Sequence, residues 1–264
     1  MKIILLLWAP FLLLGCKSPG KKAPVIQPSD DDYTKIITTK KVLMRYPNDG
    51  NPVDDSLLIP VVSAKYPGLQ KALCDTSLFF GDKLDTVVKN YQLKGDGITS
   101  FYYEVPFINN GVISIKLCAN TRAAYPDYSE RWLTLDIHSG KAYPVSNELN
   151  RSGLDWIYKS YKALMKKRIT EDIKDTKTNK TYNSDDSLIY ADLFEEIDSL
   201  KYNEMFKSYV FTDQGIVFTT DRVLPHIVRA LEPYRQWLIP YKELTPYILP
   251  GAIILKKWKT KTSS

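Results

Sequence analysis

Two histidines, His138 and His226, and three cysteines are the side chains of this 264-residue chain best placed for chemistry near neutral pH. A nucleophilic triad needs an activated Ser or Cys, a His, and an acid that orients it. No Gly-x-Ser-x-Gly elbow occurs in the sequence. His138 falls in the turn-like run His138-Ser139-Gly140-Lys141, and His226 directly follows Pro225. Both read as turn and packing residues. Zinc would need closely spaced His or Cys ligands, and neither a near His pair nor a Cys-x-x-Cys is present. Lys94-Gly95-Asp96-Gly97 lacks the alternating oxygen ligands of a calcium loop and reads as a plain turn. The carboxylate pairs Asp54-Asp55, Asp185-Asp186 and Glu195-Glu196 are adjacent, so their side chains diverge and read as solvated charge. The expectation is a protein with no catalytic residues, no metal and no cofactor.

The remaining chemistry is that of thiols. Cys16 ends a run of Lys2, then apolar Ile3 to Leu14 interrupted by Pro10, then Gly15. This run is shorter than the roughly 20 residues that span a bilayer. Leu13-Leu14-Gly15-Cys16 resembles the lipobox of bacterial lipoproteins. That resemblance implies lipid on the Cys16 thiol, cleavage before it, and an acylated amino terminus anchored in a membrane. Residues 1–15 are then the signal peptide. Lys17 follows the anchor where an Asp would signal inner-membrane retention, and no acidic residue comes before Asp30. The expected address is the outer membrane, facing the periplasm. In such an oxidising compartment Cys74 and Cys118 have two alternatives. They could bridge a predicted helix to a predicted strand, closing a loop of about 45 residues for roughly 2–4 kcal/mol. Otherwise they are separately buried thiols.

Composition agrees with a folded envelope protein. Apolar residues make up 44% and charged residues 25%, which is globular, and 18 Tyr, 9 Phe and 5 Trp suit a β-rich fold. The net charge of +6 falls to +5 without the signal peptide, too little to argue for nucleic acid.

Residues 16–34 read as a lipidated tether, rich in Lys, Ser, Pro and Gly before Asp30-Asp31-Asp32. A single α+β domain is expected over 35–255, and a basic tail over 256–264. Its first strand is Ile36–Tyr46, closed by Pro47-Asn48-Asp49-Gly50. Helical spacing follows from Pro67 through Leu69, Leu73, Phe80, Leu84, Val87 and Tyr91, with a break at Gly81. A meander comes next: Thr99–Phe107, a turn at Asn109-Asn110-Gly111, Val112–Asn120, and Arg131–Ile137. In the middle strand Ile113, Ile115 and Leu117 alternate with Val112, Ser114 and Lys116, predicting one buried and one wet face. An amphipathic helix carries Leu154, Ile157, Tyr161, Met165 and Ile169, and its end is basic at Lys166, Lys167 and Arg168. Residues 171–186 read as polar loop, Ser187–Leu200 as an acidic helix. Ser208–Thr212 and Ile216–Thr220 form a hairpin, and proline-punctuated chain follows. The predicted architecture is an antiparallel sheet, meander plus C-terminal hairpin, with helices packed on one face.

Two stretches carry a family resemblance. One comprises Asn109 to Ser114, Ala124-Tyr125-Pro126-Asp127-Tyr128, and Thr134-Leu135-Asp136-Ile137-His138-Ser139-Gly140-Lys141. The other comprises Phe211 to Phe218, Leu224-Pro225-His226 and Ile239-Pro240-Tyr241-Lys242-Glu243-Leu244. Together they resemble an extracytoplasmic domain of unknown function. That domain forms the C-terminal half of the lysozyme-sensing anti-sigma factor RsiV and accompanies PdaC-type peptidoglycan deacetylases. Ser139 stands where the family pattern has Thr. The resemblance implies an α+β domain that binds rather than catalyses, and no catalytic residue carries over from it.

The surface candidate is the run Ala124–Arg131, where Tyr125, Asp127, Tyr128 and Arg131 stand beside Trp132. Tyr, Trp and Arg are enriched at interface hot spots. Glu195 and Glu196 on the acidic helix are a second candidate patch. The functional expectation is a lipid-anchored protein that binds a macromolecular partner, by resemblance a lysozyme-type wall hydrolase or an exported toxin, in an inhibitory, immunity or sensing role. A carbohydrate- or peptidoglycan-directed accessory protein or enzyme, and a structural outer-membrane lipoprotein, are the alternatives.

Overall fold

The computed structural model describes residues 35–44, 55–79, 81–95, 97–122, 127–179, 184–222, 224–225, 228, 231–256 and 258. Cys16, the tether, Phe80, the turn at 47–50, Tyr125, His226 and residues 259–264 lie outside the described residues.

The chain is α+β, as its strand and helix patterning predicts, and its strands form two sheets. β1 (Ile37–Met44) and β2 (Asp55–Val62) are antiparallel. Three short helices follow: α1 (Pro67–Ala72), α2 (Asp75–Leu78) and α3 (Leu84–Lys94). β3 (Gly97–Asn109) then lies parallel to β2, with Leu57 opposite Phe101. β4 (Val112–Arg122) and β5 (Asp127–Asp136) complete a five-stranded sheet in sequence order. The β3–β4 turn forms where Asn-Asn-Gly places it, because Asn110 and Gly111 both take positive φ (52° and 77°). α4 (Arg151–Thr178) and α5 (Ser184–Ser199) come next, then α6 (Tyr202–Met205). β6 (Tyr209–Phe211), β7 (Gly215–Phe218) and β8 (Trp237–Pro240) make the second, antiparallel sheet, and α7 (Tyr241–Leu244) follows it.

Burial explains the layering. One face of the large sheet, with Leu57, Phe101, Ile113 and Ile115, packs on Leu69, Phe79 and Tyr91 of the α1–α3 region. A second core joins the α4 stripe (Leu154, Ile157, Tyr161, Met165, Ile169) to Leu193 and Ile197 of α5 and to Phe211, Ile216 and Ile239. Side chains along β4 do alternate between two faces, but the expected wet face is not wet: Val112, Ser114 and Cys118 are buried and Lys116 is half-buried. Val112 and Ser114 are fully buried, because β6 crosses them. Ser114 and Thr134 serve as the seam: their hydroxyls bond each other (3.0 Å), Phe211 N–H donates to Ser114 Oγ (2.9 Å), and Thr134 Oγ1 donates to the Tyr209 carbonyl (2.9 Å). Buried edge groups of β6 are thus satisfied by side chains of the other sheet.

Three further expectations are corrected. Of the expected loop 171–186, residues 171–178 and 184–186 are helix, since α5 begins at Ser184 and α4 runs 28 residues. Its polar end is held by Tyr190 of α5, whose hydroxyl donates to Asp172 (2.6 Å), and by Ile169 and Ile173 against the core. The helical region after Pro67 breaks twice, with the first break at Leu73-Cys74. Finally, Asp127–Glu130 are strand residues, so β5 begins four positions before the predicted start at Arg131.

The turn after β5 docks α1. Asp136 Oδ1 accepts from the Ser139 N–H and hydroxyl, both at 2.7 Å, and these bonds hold its carboxyl below the usual range. Gly140, at φ +68°, presses on Gly68: a Cβ at Gly140 would sit 2.0 Å from the Gly68 carbonyl oxygen. His138 is exposed in this turn, its ring 5.9 Å from that of Tyr66.

Candidate functional site

Next to this second face, lined from β5 and not from β4, lies a cleft of about 280 Å³. One wall is β5. Strand alternation sends Tyr128, Glu130 and Trp132 to this side. The opposite wall combines Thr219–Arg222, after β7, with Tyr234–Gln236, before β8. α4 fixes that second wall from below. Tyr161 donates to the Arg235 carbonyl (2.8 Å) and bonds Thr220 Oγ1 (2.8 Å), while Arg168 donates to the carbonyls of Gln236 (3.1 Å) and Tyr234.

Glu130 is the hub of the cleft. Its carboxylate accepts from Tyr128 Oη (2.7 Å), Trp132 Nε1 (2.9 Å) and Gln236 Nε2 (3.0 Å), so it ties the two walls together. Lys116 sits 4.9 Å from the Trp132 ring centre and 3.2 Å from Glu104. Burial disfavours its charge, but Glu130 and Glu104 outweigh that and raise its pKa. Burial, with hydrogen bonds to Cys118, Tyr102 and Glu130, pushes the Tyr128 phenol far up, and burial also raises Tyr102. Behind the second wall Arg235 is buried between two carboxylates. Its guanidinium makes a bidentate pair with Glu196 (Nη1 to Oε1 2.8 Å, Nη2 to Oε2), and Nε lies 2.7 Å from Glu232 Oε1, in ion contact without hydrogen-bond alignment. Each resolved shift around the cleft therefore moves a group away from neutrality. Four lining side chains stay exposed: the aromatic Tyr128 (43%) and Tyr234 (61%), and the charged Asp221 and Arg222.

The sequence candidates separate on this frame. Asp127 and Tyr128 line the cleft. Arg131 points the other way, exposed, and donates from Nη1 to the carbonyl of Ser77 in α2 (2.7 Å), so it does not line the cleft. Glu196 is committed to Arg235, and Glu195 is exposed on α5 away from the cleft lining. The acid of α5 is further used by α4, where Lys166 and Lys162 meet Asp198 at 2.5 and 4.0 Å. Tyr234, Arg235 and Gln236 escaped the sequence reading, although Tyr234-Arg235-Gln236-Trp237 has the same Tyr/Arg/Trp composition that marked the β5 segment.

Cys74 and Cys118 are free thiols rather than a bridge. Cys74 is exposed at the N-cap of α2, 3.3 Å from Thr76 Oγ1, and that hydroxyl, with Ser77 N–H, lowers its pKa. Cys118 is buried on β4 beside Tyr102 and Tyr128, and burial raises it. Iodoacetamide should therefore alkylate Cys74 in the native protein, with a pH midpoint below the ordinary thiol value of about 8.5. Cys118 should react only in denaturant. Peptide mass spectrometry without reductant reads both, and a disulfide-linked 74–118 pair would refute the assignment. Among the described residues no three His, Cys, Asp or Glu side chains cluster as a metal site, and no helix is long and apolar enough to cross a membrane.

No family model matches the chain, and no curated protein is similar to it. Solved structures that are similar to it include two of one family. One is a DUF3298 family protein from Pseudomonas aeruginosa PAO1, 12% identical with a TM-score of 0.43, covering 81% of this chain and 94% of that one. The other is a member of the DUF3298 family from Bacteroides fragilis NCTC 9343, 14% identical with a TM-score of 0.40, covering 81% of this chain and 93% of that one.

Proposed function

We propose that this chain is a lipid-anchored envelope protein that binds a macromolecular partner without chemistry, through the cleft between β5 and the Tyr234 wall. The supporting observation is the state of the cleft's polar groups. Glu130 accepts three donors and Arg235 is sandwiched between Glu196 and Glu232, while the Tyr128 and Tyr234 rings stand exposed at the rim beside Asp221 and Arg222. A general acid or base needs a proton it can exchange near neutral pH. Exposed tyrosines over a fixed polar floor are the anatomy of a binding hot spot instead. The Cys16 lipobox supports the anchor and an outer-membrane, periplasm-facing address. The family resemblance supports a wall hydrolase or exported toxin as the partner, bound in an inhibitory, immunity or sensing role.

The test is capture of an exported protein by the full chain, followed by titration with Tyr128→Ala and Tyr234→Ala. The pair should weaken binding by about 2 kcal/mol, roughly thirtyfold, with the circular dichroism spectrum unchanged. Unaltered affinity would move the site off this cleft. A peptidoglycan-directed accessory role draws on the same two rings, which could stack on sugars. Binding of muropeptides lost in the same variants would favour that reading, and turnover of wall substrate abolished by Glu130→Gln would overturn the non-catalytic one.

A further inference from the structure

The five-stranded sheet begins at β1, whose outer edge is open. Ser63 N–H donates to the Ile36 carbonyl (2.8 Å), which makes Ile36 and Ser63 a bonded pair and sets the parity of the β1–β2 ladder. Thr38, Lys40, Val42 and Met44 therefore spend their backbone groups on β2. Pro60, which has no N–H, stands opposite Thr39, a position where this parity asks for none. The backbone groups of Ile37, Thr39, Lys41 and Leu43 aim away from the sheet. Among the described residues none of these groups has a hydrogen-bond partner. Four consecutive side chains, Thr38 to Lys41, are exposed, so both faces of the strand are clear there as well as its edge.

The charge on this edge is of one sign and unspent. Lys40 and Lys41 lie opposite the apolar Ile59 and Leu58, and among the described residues neither makes an ion pair. As neighbours in a strand they point to opposite faces. We propose that the β1 edge accepts an extended acidic segment of a protein partner as an added strand, with two consecutive Asp or Glu residues set opposite Lys40 and Lys41. Thr39, Lys41 and Leu43 each offer one N–H and one C=O to that strand, which supplies affinity. Adjacent acids in the partner diverge to the two faces as the lysines do, which supplies specificity. Leu43, 49% exposed, favours an apolar residue two places from the acids. Edge lysines also serve to blunt a strand against aggregation, a role in which their removal would promote pairing rather than weaken it. A second copy of this chain is a poor occupant. Self-pairing has to bond the outward residues to one another, and every antiparallel register centred from Thr39 to Val42 sets Lys40 or Lys41 opposite or diagonal to its own copy. This surface is separate from the cleft, which is lined from β5 at the other end of the strand order.

The probe is the acetylated, amidated peptide Thr-Val-Thr-Glu-Glu-Thr-Val. Laid antiparallel, it sets its two Glu against Lys41 and Lys40 and its first Val against Leu43. It is titrated into the full chain in micelles and followed by backbone amide exchange. At saturation the Thr39, Lys41 and Leu43 amides should exchange at least about tenfold more slowly, while those of Lys40 and Val42, already bonded to β2, should change little. Affinity should fall about tenfold when both Glu become Lys, and as much when the peptide residues that bond β1 are N-methylated, with methylation of the alternate residues tolerated. The Lys40→Thr, Lys41→Thr double variant should bind the parent peptide about fivefold more weakly. Peptide that binds yet leaves the three amides unprotected, or tolerates methylation of its bonding residues, would overturn strand addition. Absence of binding at millimolar concentration would overturn it as well. A double variant that keeps its peptide affinity and self-associates would assign the lysines to blunting the edge and remove the acidic occupant. None of these results depends on the cleft, which the partner assay above tests separately.

Discussion

Replacing Glu148 with Ala should lower the stability of the fold by about 4 kcal/mol, the cost expected when a buried, fully bonded carboxylate is removed from its donors. Glu148 has no exposed surface. Its carboxylate accepts from Ile253 N–H (3.1 Å), Ile254 N–H (3.1 Å) and Leu255 N–H (2.9 Å), and from the Tyr143 hydroxyl (2.6 Å). These three amides open a final helical turn, on which the Trp258 ring packs 5.4 Å from that of Tyr241. An anion at such a turn satisfies amides that have no helical acceptor. With Ala the Ile254 and Leu255 amides stay buried with nothing to bond, and the part-buried Ile253 amide loses its acceptor too. Thermal unfolding should then fall by roughly 8–16 °C for a chain of this size. Glu148→Gln keeps one acceptor oxygen but turns an NH₂ toward donors, so it should recover less than half of the loss. Tyr143→Phe removes one bond and should cost about 1 kcal/mol. A Glu148→Ala protein within 1 kcal/mol of the parent by urea titration would show that the carboxylate does not hold the C-terminal segment.

Nothing local in the sequence announces this clamp. Glu148 lies in a short polar run, and its partners are backbone amides more than a hundred positions away. The features that were legible are those written within a few residues. Asn109-Asn110-Gly111 sets the β3–β4 hairpin through positive φ, and the 3.6-residue stripe from Leu154 to Ile169 marks the inner face of α4. The tail of α4 reads as loop because it has little apolar stripe; contact with Tyr190 keeps it helical. β2 went unread because Pro60 interrupts Leu57-Leu58-Ile59, yet Pro60 is accommodated opposite Thr39.

The cleft was half legible for the same reason. Composition drew attention to Asp127, Tyr128 and Trp132, but alternation along a strand, not a loop, decides their directions: Tyr128 and Trp132 to the cleft, Arg131 to α2. Likewise the acid of α5 looked like a free surface charge. Its partner Arg235 is 39 positions later, and only folding shows that Glu196 is spent on it.

Arg235→Ala should be the other large loss, about 4 kcal/mol, and it should reach the cleft as well as the core. The Arg235 side chain is only 3% exposed and the Glu232 side chain not at all. Burial works against the guanidinium charge, but the hydrogen bonds to Glu196 and the nearby Glu232 carboxylate more than compensate, raising its pKa. Nη1 also donates to the Asp221 carbonyl (2.9 Å), so one side chain joins α5 to both segments of the cleft wall. Without it a buried carboxylate loses its cation, which costs more than the pair contributes. Arg235→Lys should rescue little, because an ammonium cannot make the bidentate bond to Glu196 while reaching Glu232. Arg235→Leu combined with Glu232→Leu should recover most of the stability, since an apolar replacement of a buried ion pair is often neutral. That double variant separates two roles. Its Tyr234 wall lacks the bonds to Glu196 and Asp221, so partner binding should remain weakened about tenfold although the fold is restored. If stability and binding recover together, Arg235 acts on the cleft only through the core. If the single Ala variant is as stable as the parent, the ion cluster is not what fixes the wall.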